Sequence, residues 1–324
     1  MGLVSILSAS CFAEPQPQDH PGAAEFAQKA ASENQLDPEA VLAVLKQAEF
    51  KQSIVDAISR PAEGKPWHEY RPIFITQKRI DGGVAFWREH KELIDKAAER
   101  FQVDPQVIVS IIGVETFYGR ITGNYRVLDA LTTLSFYYPD TIRDRSEFFS
   151  SELMHFFILS EEEDMPIDEL TGSYAGAMGL GQFIPSSYRE YAVDLDGDGR
   201  RDLWSSMDDV IGSVANYLHR HKWQYGEPIV YAVDKREDAN MELIAKGDYK
   251  PKYTVDDLSV GGFTTTQDLD GEAAVSLISL EEEDFNTYWM TFKNFYVITR
   301  YNRSPLYAMA VYELSEEIRR GMAE

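Results

Sequence analysis

The chain has 324 residues, enough for two or three domains and a substantial buried core. Lys plus Arg number 31 against 54 Asp plus Glu, a formal net charge of −23, which excludes an electrostatic footprint for nucleic acid and is repelled by an anionic membrane surface. The hydrophobic fraction of 44% excludes a disordered chain, the single cysteine excludes an internal disulfide framework or Cys-based zinc site, and six scattered histidines without a His-Glu-x-x-His pattern argue against catalytic zinc.

Residues 1–22 read as a tail. Gly2 to Ala13 is a short apolar run ending in small residues, like the end of a secretory signal peptide, but without the Lys/Arg segment such a signal needs. Ser8-Ala9-Ser10-Cys11 reads equally as a degraded lipobox with Cys11 lipidated, and a disordered tail is the plain alternative. No later run approaches the roughly 20 apolar residues of a membrane-spanning helix.

From about Ala23 to Arg100 the pattern is helical, with Asp37-Pro38 as an N-cap followed by Pro at the first helical position. Arg60 to Pro72 reads as irregular, and Asp81-Gly82-Gly83 interrupts or re-starts the helical stretch that follows, from about Ile73 to Arg100. Asp104-Pro105 repeats the capping signal and opens a helix to about Gly119. Leu128 to Phe136 and Arg143 to Leu159 predict two more helices, Gly172 to Pro185 is Gly-rich, and Val210 to Trp223 is amphipathic. Beyond Gly226, Pro228–Val233, Tyr249–Val255, Ala273–Leu280 and Tyr288–Val297 are rich in β-branched and aromatic residues and predict strands, before Ser304 to Met322 returns to helix. The expected fold class is α+β, mostly α: a helical domain over 23–100, a helical core over 101–226 plus 300–324, and a small β domain inserted at 227–299.

In the helix after Pro105, Ile108, Ile111, Ile112 and Glu115 follow the spacing of one helical face, which sets Glu115 on an apolar stripe. Burial disfavours the charged carboxylate and raises its pKa, which is how a general acid stays protonated near neutral pH. The structural alternative is a Glu at the stripe's edge, paired with Arg120 or Arg126. Glu49, eleven residues after Pro38, echoes the arrangement but has no Gly-rich segment closely following, and reads as structural. The stretch from Ser173 to Ser186 has three glycines and no phosphate-loop lysine; its small residues let a ligand approach the backbone, and Gln182 offers an amide suited to sugar hydroxyl and acetamido groups.

Asp194-Leu195-Asp196-Gly197-Asp198-Gly199-Arg200-Arg201-Asp202 fits the first part of an EF-hand loop: carboxylates at positions 1, 3, 5 and 9, a glycine at 6 and the Arg200 carbonyl at 7. Position 12 is Ser205 rather than Glu, so Asp208 or Asp209 would have to close the loop. A metal-free Asx-rich turn is the alternative, but clustered carboxylates repel one another, and Ca²⁺ is the expected ligand.

Three segments taken together, Ile112 to Gly119, Gly176 to Ser186 and Tyr301 to Val311, resemble the membrane-bound lytic transglycosylase B family of lysozyme-like, murein-cleaving enzymes. The order and rough spacing agree from about residue 25 to the C-terminus. The resemblance implies a lysozyme-like core, Glu115 as the sole catalytic acid/base, and Tyr70, Ser173, Gln182, Tyr217, Tyr301, Asn302 and Tyr307 as glycan-binding residues. It also implies an enlarged calcium loop closed by a late Asp; counting back from Ile211 favours Asp209, counting forward from Asp194 favours Asp208. The implied reaction is non-hydrolytic cleavage of the MurNAc-β-1,4-GlcNAc bond to 1,6-anhydro-MurNAc ends. The alternatives are a hydrolytic muramidase, with Asp129 or a residue of Glu161 to Asp164 as second carboxylate, and a non-catalytic murein-binding module. The implied partner is the peptidoglycan strand, with no organic cofactor and no nucleic acid, and the implied address is the periplasm, either soluble or held at the outer membrane by a lipid anchor on Cys11.

Overall fold

The computed structural model describes residues 15–60, 64–140 and 143–324; Cys11 lies outside the described residues. The helices used below are α1 (Pro21–Asn34), α2 (Pro38–Leu45), α3 (Gln52–Ile58), α4 (Trp67–Phe74), α5 (Gln77–Glu89), α6 (Lys91–Phe101), α7 (Pro105–Thr116), α8 (Val127–Phe136), α9 (Ser146–Glu162), α10 (Pro185–Tyr191), α11 (Met207–Arg220), α12 (Val255–Val260), α13 (Lys293–Tyr301) and α14 (Pro305–Ala323). The strands of one sheet are β1 (Val230–Lys235), β2 (Tyr253–Thr254), β3 (Phe263–Thr264), β4 (Ala274–Glu281) and β5 (Asn286–Thr291). The chain is thus mostly helical with a small inserted sheet.

The chain divides into two compact units. One holds the described residues up to Ser59 with 125–170 and 174–176; the other holds 60–124, 171–173 and 177–324. The division falls at residue 59, inside the stretch 23–100 taken above as one domain, and keeps 227–299 with the helices of the second unit.

In the first unit α8 is buried along nine of its ten residues. Asp129 lies on it, 2% exposed, and accepts Arg126 Nε at 2.9 Å, Arg126 Nη2 at 2.7 Å and the Glu49 backbone N–H at 2.8 Å. A buried carboxylate held by a guanidinium fork and an amide is a structural ion pair. Glu49 itself pairs with Lys51 at the surface.

In the second unit α7 is the central helix, with nine of its twelve residues buried. α14 packs along it, and Ser110 Oγ donates to the Val311 carbonyl at 2.6 Å. The sheet is antiparallel in the order β2-β4-β5-β1-β3, with Val230 opposite Thr291 and Ser276 opposite the same residue on the other side. Val233, Leu258, Phe263, Val275, Leu277, Met290 and Phe292 form its own apolar core.

Four local expectations are corrected. Gly82 and Gly83 do not interrupt a helix: α5 runs through them, and a Cβ at Gly83 would lie 2.5 Å from Ile318 and 2.6 Å from the Tyr118 hydroxyl, so the missing side chain is a packing requirement. Pro72 does not mark an irregular stretch but sits inside α4, where it removes a single hydrogen bond from a helix that ends two residues later. Asp104 occupies the N-cap position of α7 without capping it; its carboxylate instead accepts Trp223 Nε1 at 2.8 Å and the Gly226 N–H at 3.1 Å. The stretch read as a strand over Tyr288–Val297 ends at Thr291 and becomes α13, where Phe295 and Ile298 keep a helical period that the β-branched residues around them mask.

Asn294 joins α13 to the chain entering the sheet. It is fully buried, accepts the Gln224 N–H at 2.8 Å and donates to the carbonyls of Gln224 and Glu227 at 2.7 and 3.0 Å. Asn294→Ala strands three backbone groups out of water and is expected to lower the unfolding free energy by about 3 kcal/mol, read from urea denaturation.

Candidate active site

Helix α7 ends abruptly one residue after Glu115. Phe117, Tyr118 and Gly119 all have left-handed backbone, with φ of +52°, +59° and +82°. For the first two this is strained, and such strain persists only where surroundings fix it. Here the Phe117 N–H reaches the Gly113 carbonyl at 3.1 Å and the Tyr118 N–H the Ile112 carbonyl at 3.3 Å, closing the helix end. Thr116 Oγ1 accepts the Gly119 N–H at 3.0 Å and donates to the Leu180 carbonyl at 3.0 Å. Tyr118 Oη donates to the Arg79 carbonyl at 2.8 Å. Glu115 is therefore half-buried on the last turn of an otherwise buried helix.

Phenols are prominent around Glu115. Tyr307 Oη donates to Glu115 Oε1 at 2.5 Å. Tyr301, at the end of α13, donates to the Gly181 carbonyl at 2.6 Å. Burial first and the Glu115 charge second push both phenols well above the usual tyrosine range, so both stay protonated donors. Tyr70, buried on α4 between Trp67 and Phe74, adds to the effect on Tyr307. Tyr217 is buried behind Tyr301, ring centroids 4.7 Å apart, and donates to the Arg300 carbonyl at 2.5 Å.

The Gly-rich segment faces the end of α7. Met178 and Phe183 exchange backbone hydrogen bonds at 2.9 and 3.0 Å, making a tight hairpin, and Leu180 N–H reaches the Leu203 carbonyl at 2.8 Å. A Cβ on Gly179 would lie 2.4 Å from that carbonyl oxygen, and its φ is +66°, so glycine is required there. Gln182 is also left-handed, at φ +51°, and its Nε2 donates to the Thr122 carbonyl at 3.1 Å and to the Gly179 carbonyl at 2.9 Å. Ser173 Oγ accepts the Ala177 N–H at 3.0 Å.

The Asp-rich loop folds on itself. Asp194 accepts the N–H groups of Gly197 and Gly199 at 2.5 and 2.8 Å, and both glycines are left-handed. Asp209, 1% exposed, accepts from Leu195 and Asp202 at 2.8 Å each and ties the loop's two ends together. Oxygens of Asp194, Asp196 and Asp209 lie within 4.8 Å of one another. The side chains of Asp198 and Asp208 lie outside that group, and Asp198 accepts the Arg200 N–H at 2.8 Å. Burial, then the charges of Asp196 and Asp194, push the Asp209 carboxyl up, a repulsion that a divalent cation would relieve.

Residues 18–316 match the family model described as "Transglycosylase SLT domain". The chain belongs to this family. It is 39% identical over 311 residues to the membrane-bound lytic murein transglycosylase B of Escherichia coli K12, covering 93% of this chain and 83% of that one. Among solved structures it resembles the soluble lytic transglycosylase SltB1 of Pseudomonas aeruginosa (45% identity, TM-score 0.85, 94% of this chain and 100% of that one). It likewise resembles the Escherichia coli lytic transglycosylase Slt35 in complex with calcium (38% identity, TM-score 0.83, 94% and 95% covered).

Within this transglycosylase chain, the second unit holds Glu115 and every glycan-binding residue expected from the sequence: Tyr70, Ser173, Gln182, Tyr217, Tyr301, Asn302 and Tyr307. Thr116 was missed by the sequence reading, although it alone links the helix end to both Gly119 and Leu180; a Thr directly after the Glu at a helix end was the available signal. Tyr307→Phe keeps the ring and deletes the donor to Glu115. We expect turnover of murein to fall about ten- to hundredfold with an unchanged melting temperature, measured by release of anhydro-muropeptides.

Proposed function

We propose that Glu115 is the single acid/base of a transglycosylase reaction on murein. The chain is a murein lytic transglycosylase: it cleaves the MurNAc-β-1,4-GlcNAc bond without water and leaves 1,6-anhydro-MurNAc ends. The observation that supports Glu115 is its place on the last turn of α7 with Tyr307 donating to it at 2.5 Å.

Protonated Glu115 gives its proton to the glycosidic oxygen as the C1–O bond breaks. The muramoyl 2-acetamido oxygen bonds to C1 from the opposite face, so no second carboxylate is required. Glu115, now a carboxylate, takes the proton from the C6 hydroxyl. O6 then displaces the acetamido oxygen from C1 and closes the anhydro ring. Tyr307 orients the carboxylate throughout. Tyr70, Tyr217, Tyr301, Asn302, Ser173 and Gln182 line the glycan cleft, the hydroxyls of Tyr217 and Tyr301 being held by the Arg300 and Gly181 carbonyls. Asp129, once a contender for a water-positioning carboxylate, is consumed by Arg126 and the Glu49 amide.

The Asp-rich loop takes a structural Ca²⁺, held by Asp194, Asp196 and Asp209, with Asp198 and the Arg200 carbonyl at the remaining loop positions and Asp208 outside. Three converging hard-oxygen ligands suit a calcium ion. The murein substrate sets the enzyme in the periplasm, and among the described residues no helix is long and apolar enough to cross a membrane. Lipidation at Cys11 would add an outer-membrane anchor; failure of the full chain to incorporate labelled palmitate would refute it.

Glu115→Gln is expected to abolish anhydro-muropeptide release from murein sacculi by at least about a thousandfold, assayed by mass spectrometry. A reducing-end muramic acid in the wild-type digest, one water heavier, would instead assign hydrolysis. Saturating Ca²⁺ at about 100 times its Kd is expected to stabilise the protein by about 2.7 kcal/mol, seen as a raised melting temperature that EDTA reverses and Asp209→Asn removes.

A further inference from the structure

Three cations surround one aromatic ring next to the proposed acid/base. Arg79 and Arg120 lie 5.0 Å from the centroid of Phe117, and Lys78 lies 5.5 Å from it. Phe117 is two residues beyond Glu115. The segment that it opens ends at Thr122, whose carbonyl receives Gln182 Nε2 at 3.1 Å. Arg120 is therefore carried on the backbone that joins Glu115 to Gln182.

Three like charges gathered on one ring repel one another. The chain has 54 carboxylates, yet among the described residues none forms an ion pair with Lys78, Arg79 or Arg120. Asp81, the nearest acidic residue along α5, accepts from Gln77 Nε2 instead. Arg79 stacks between Phe74 and Phe117, donates from Nη1 to the Ile73 carbonyl at 2.8 Å, and has a buried Nε with no acceptor. Lys78 and Arg120 are exposed. Arg120 and Lys78 thus present unneutralised charge to solvent, with the half-buried Arg79 adding its field from beneath.

Resting on the transglycosylase reading above, we propose that Lys78, Arg79 and Arg120 form a carboxylate-binding site at the rim of the glycan site, which takes the free carboxylates of the peptide stem borne on the murein strand. The stem hangs from the muramic lactyl group, and muramic acid is the sugar whose C1 reacts beside Glu115. A guanidinium fork on Arg120 and a mobile ammonium on Lys78 suit carboxylates arriving in more than one geometry. The site selects for stem-bearing strands; the glycan contacts do the rest.

The test uses a murein tetrasaccharide bearing peptide stems and the same compound with its stem carboxylates converted to amides. The wild-type enzyme is expected to show about a tenfold higher kcat/KM on the free-acid compound, a preference that falls with rising salt. In Lys78→Ala/Arg120→Ala, both surface positions, the ratio between the two compounds is expected to fall to about one. A matching melting temperature would show that the variant is folded, and Lys78→Arg/Arg120→Lys, which keeps the charge, should restore most of the preference. Anhydro product at equal rates from both compounds, or an undiminished preference in the folded double variant, overturns this site and leaves the catalytic reading intact. No anhydro product from either compound with the wild-type enzyme overturns both.

Discussion

A carboxylate with the role proposed for Glu115 has to be held by a rigid element yet reach its substrate, and that demand would fall on the end of α7. A helix buried along nine of twelve residues has no solvent-facing side on which to carry a reactive group. It can present one only by stopping. Three successive left-handed residues stop it, two of them non-glycine, each carrying about 1–2 kcal/mol of backbone strain. Tyr118 offsets that strain by inserting its ring among α5 and α7, where Gly83 and Gly113 leave room: a Cβ on either would sit 2.6 Å from its hydroxyl. The turn, the two glycines and the Tyr118–Arg79 hydrogen bond are therefore one device with one consequence, a fixed Glu115.

The other parts of the site are hung from that turn. Thr116 pins it to Leu180, and Thr122 receives Gln182, so the Gly-rich hairpin is indexed to the same helix end that carries the carboxylate. The junction of α13 and α14 is indexed to it as well, through Tyr301 on Gly181 and Tyr307 on Glu115. Burial and the neighbouring carboxylate keep both phenols protonated, so each link is a hydrogen-bond donor that carries no charge of its own.

How much of this was legible in the sequence follows from what kind of signal each part leaves. Helical periodicity around Ile108 to Glu115 found α7, and the spacing of Asp194, Asp196 and Asp198 marked the Asp-rich loop, because both are local patterns. The choice between Asp208 and Asp209 is not local: adjacent helix residues point about 100° apart, and only the packing of α11 turns Asp209 toward Leu195 and Asp202. Gly82-Gly83 misled for the same reason. A glycine reads as a breaker in one dimension, and its use as a seat for Ile318 and Tyr118 exists only once α5 and α14 are packed. Asp104 likewise resembles a cap until Trp223, 119 residues away, arrives to take its carboxylate. The tyrosines were nameable only through the family resemblance, since nothing in an isolated Tyr distinguishes a core ring from a donor aimed at Glu115.

The net charge of −23 then acquires a meaning beyond solubility. A murein strand with free stem carboxylates is a polyanion, so the protein as a whole repels its own substrate. At physiological ionic strength that repulsion is screened beyond about 8 Å, and only charges near the bound strand act on it. The residues proposed to meet the sugar backbone are neutral, phenols, amides and a hydroxyl, which are indifferent to the sign of the strand. Lys78, Arg79 and Arg120 are the local exception, left unpaired in a chain with ample carboxylate to pair them. Neutralising them internally would have been the cheaper arrangement for folding, since ion pairs relieve the repulsion among three clustered cations. That they stand unneutralised on the segment between Glu115 and Gln182 is accounted for if the missing anions belong to the substrate.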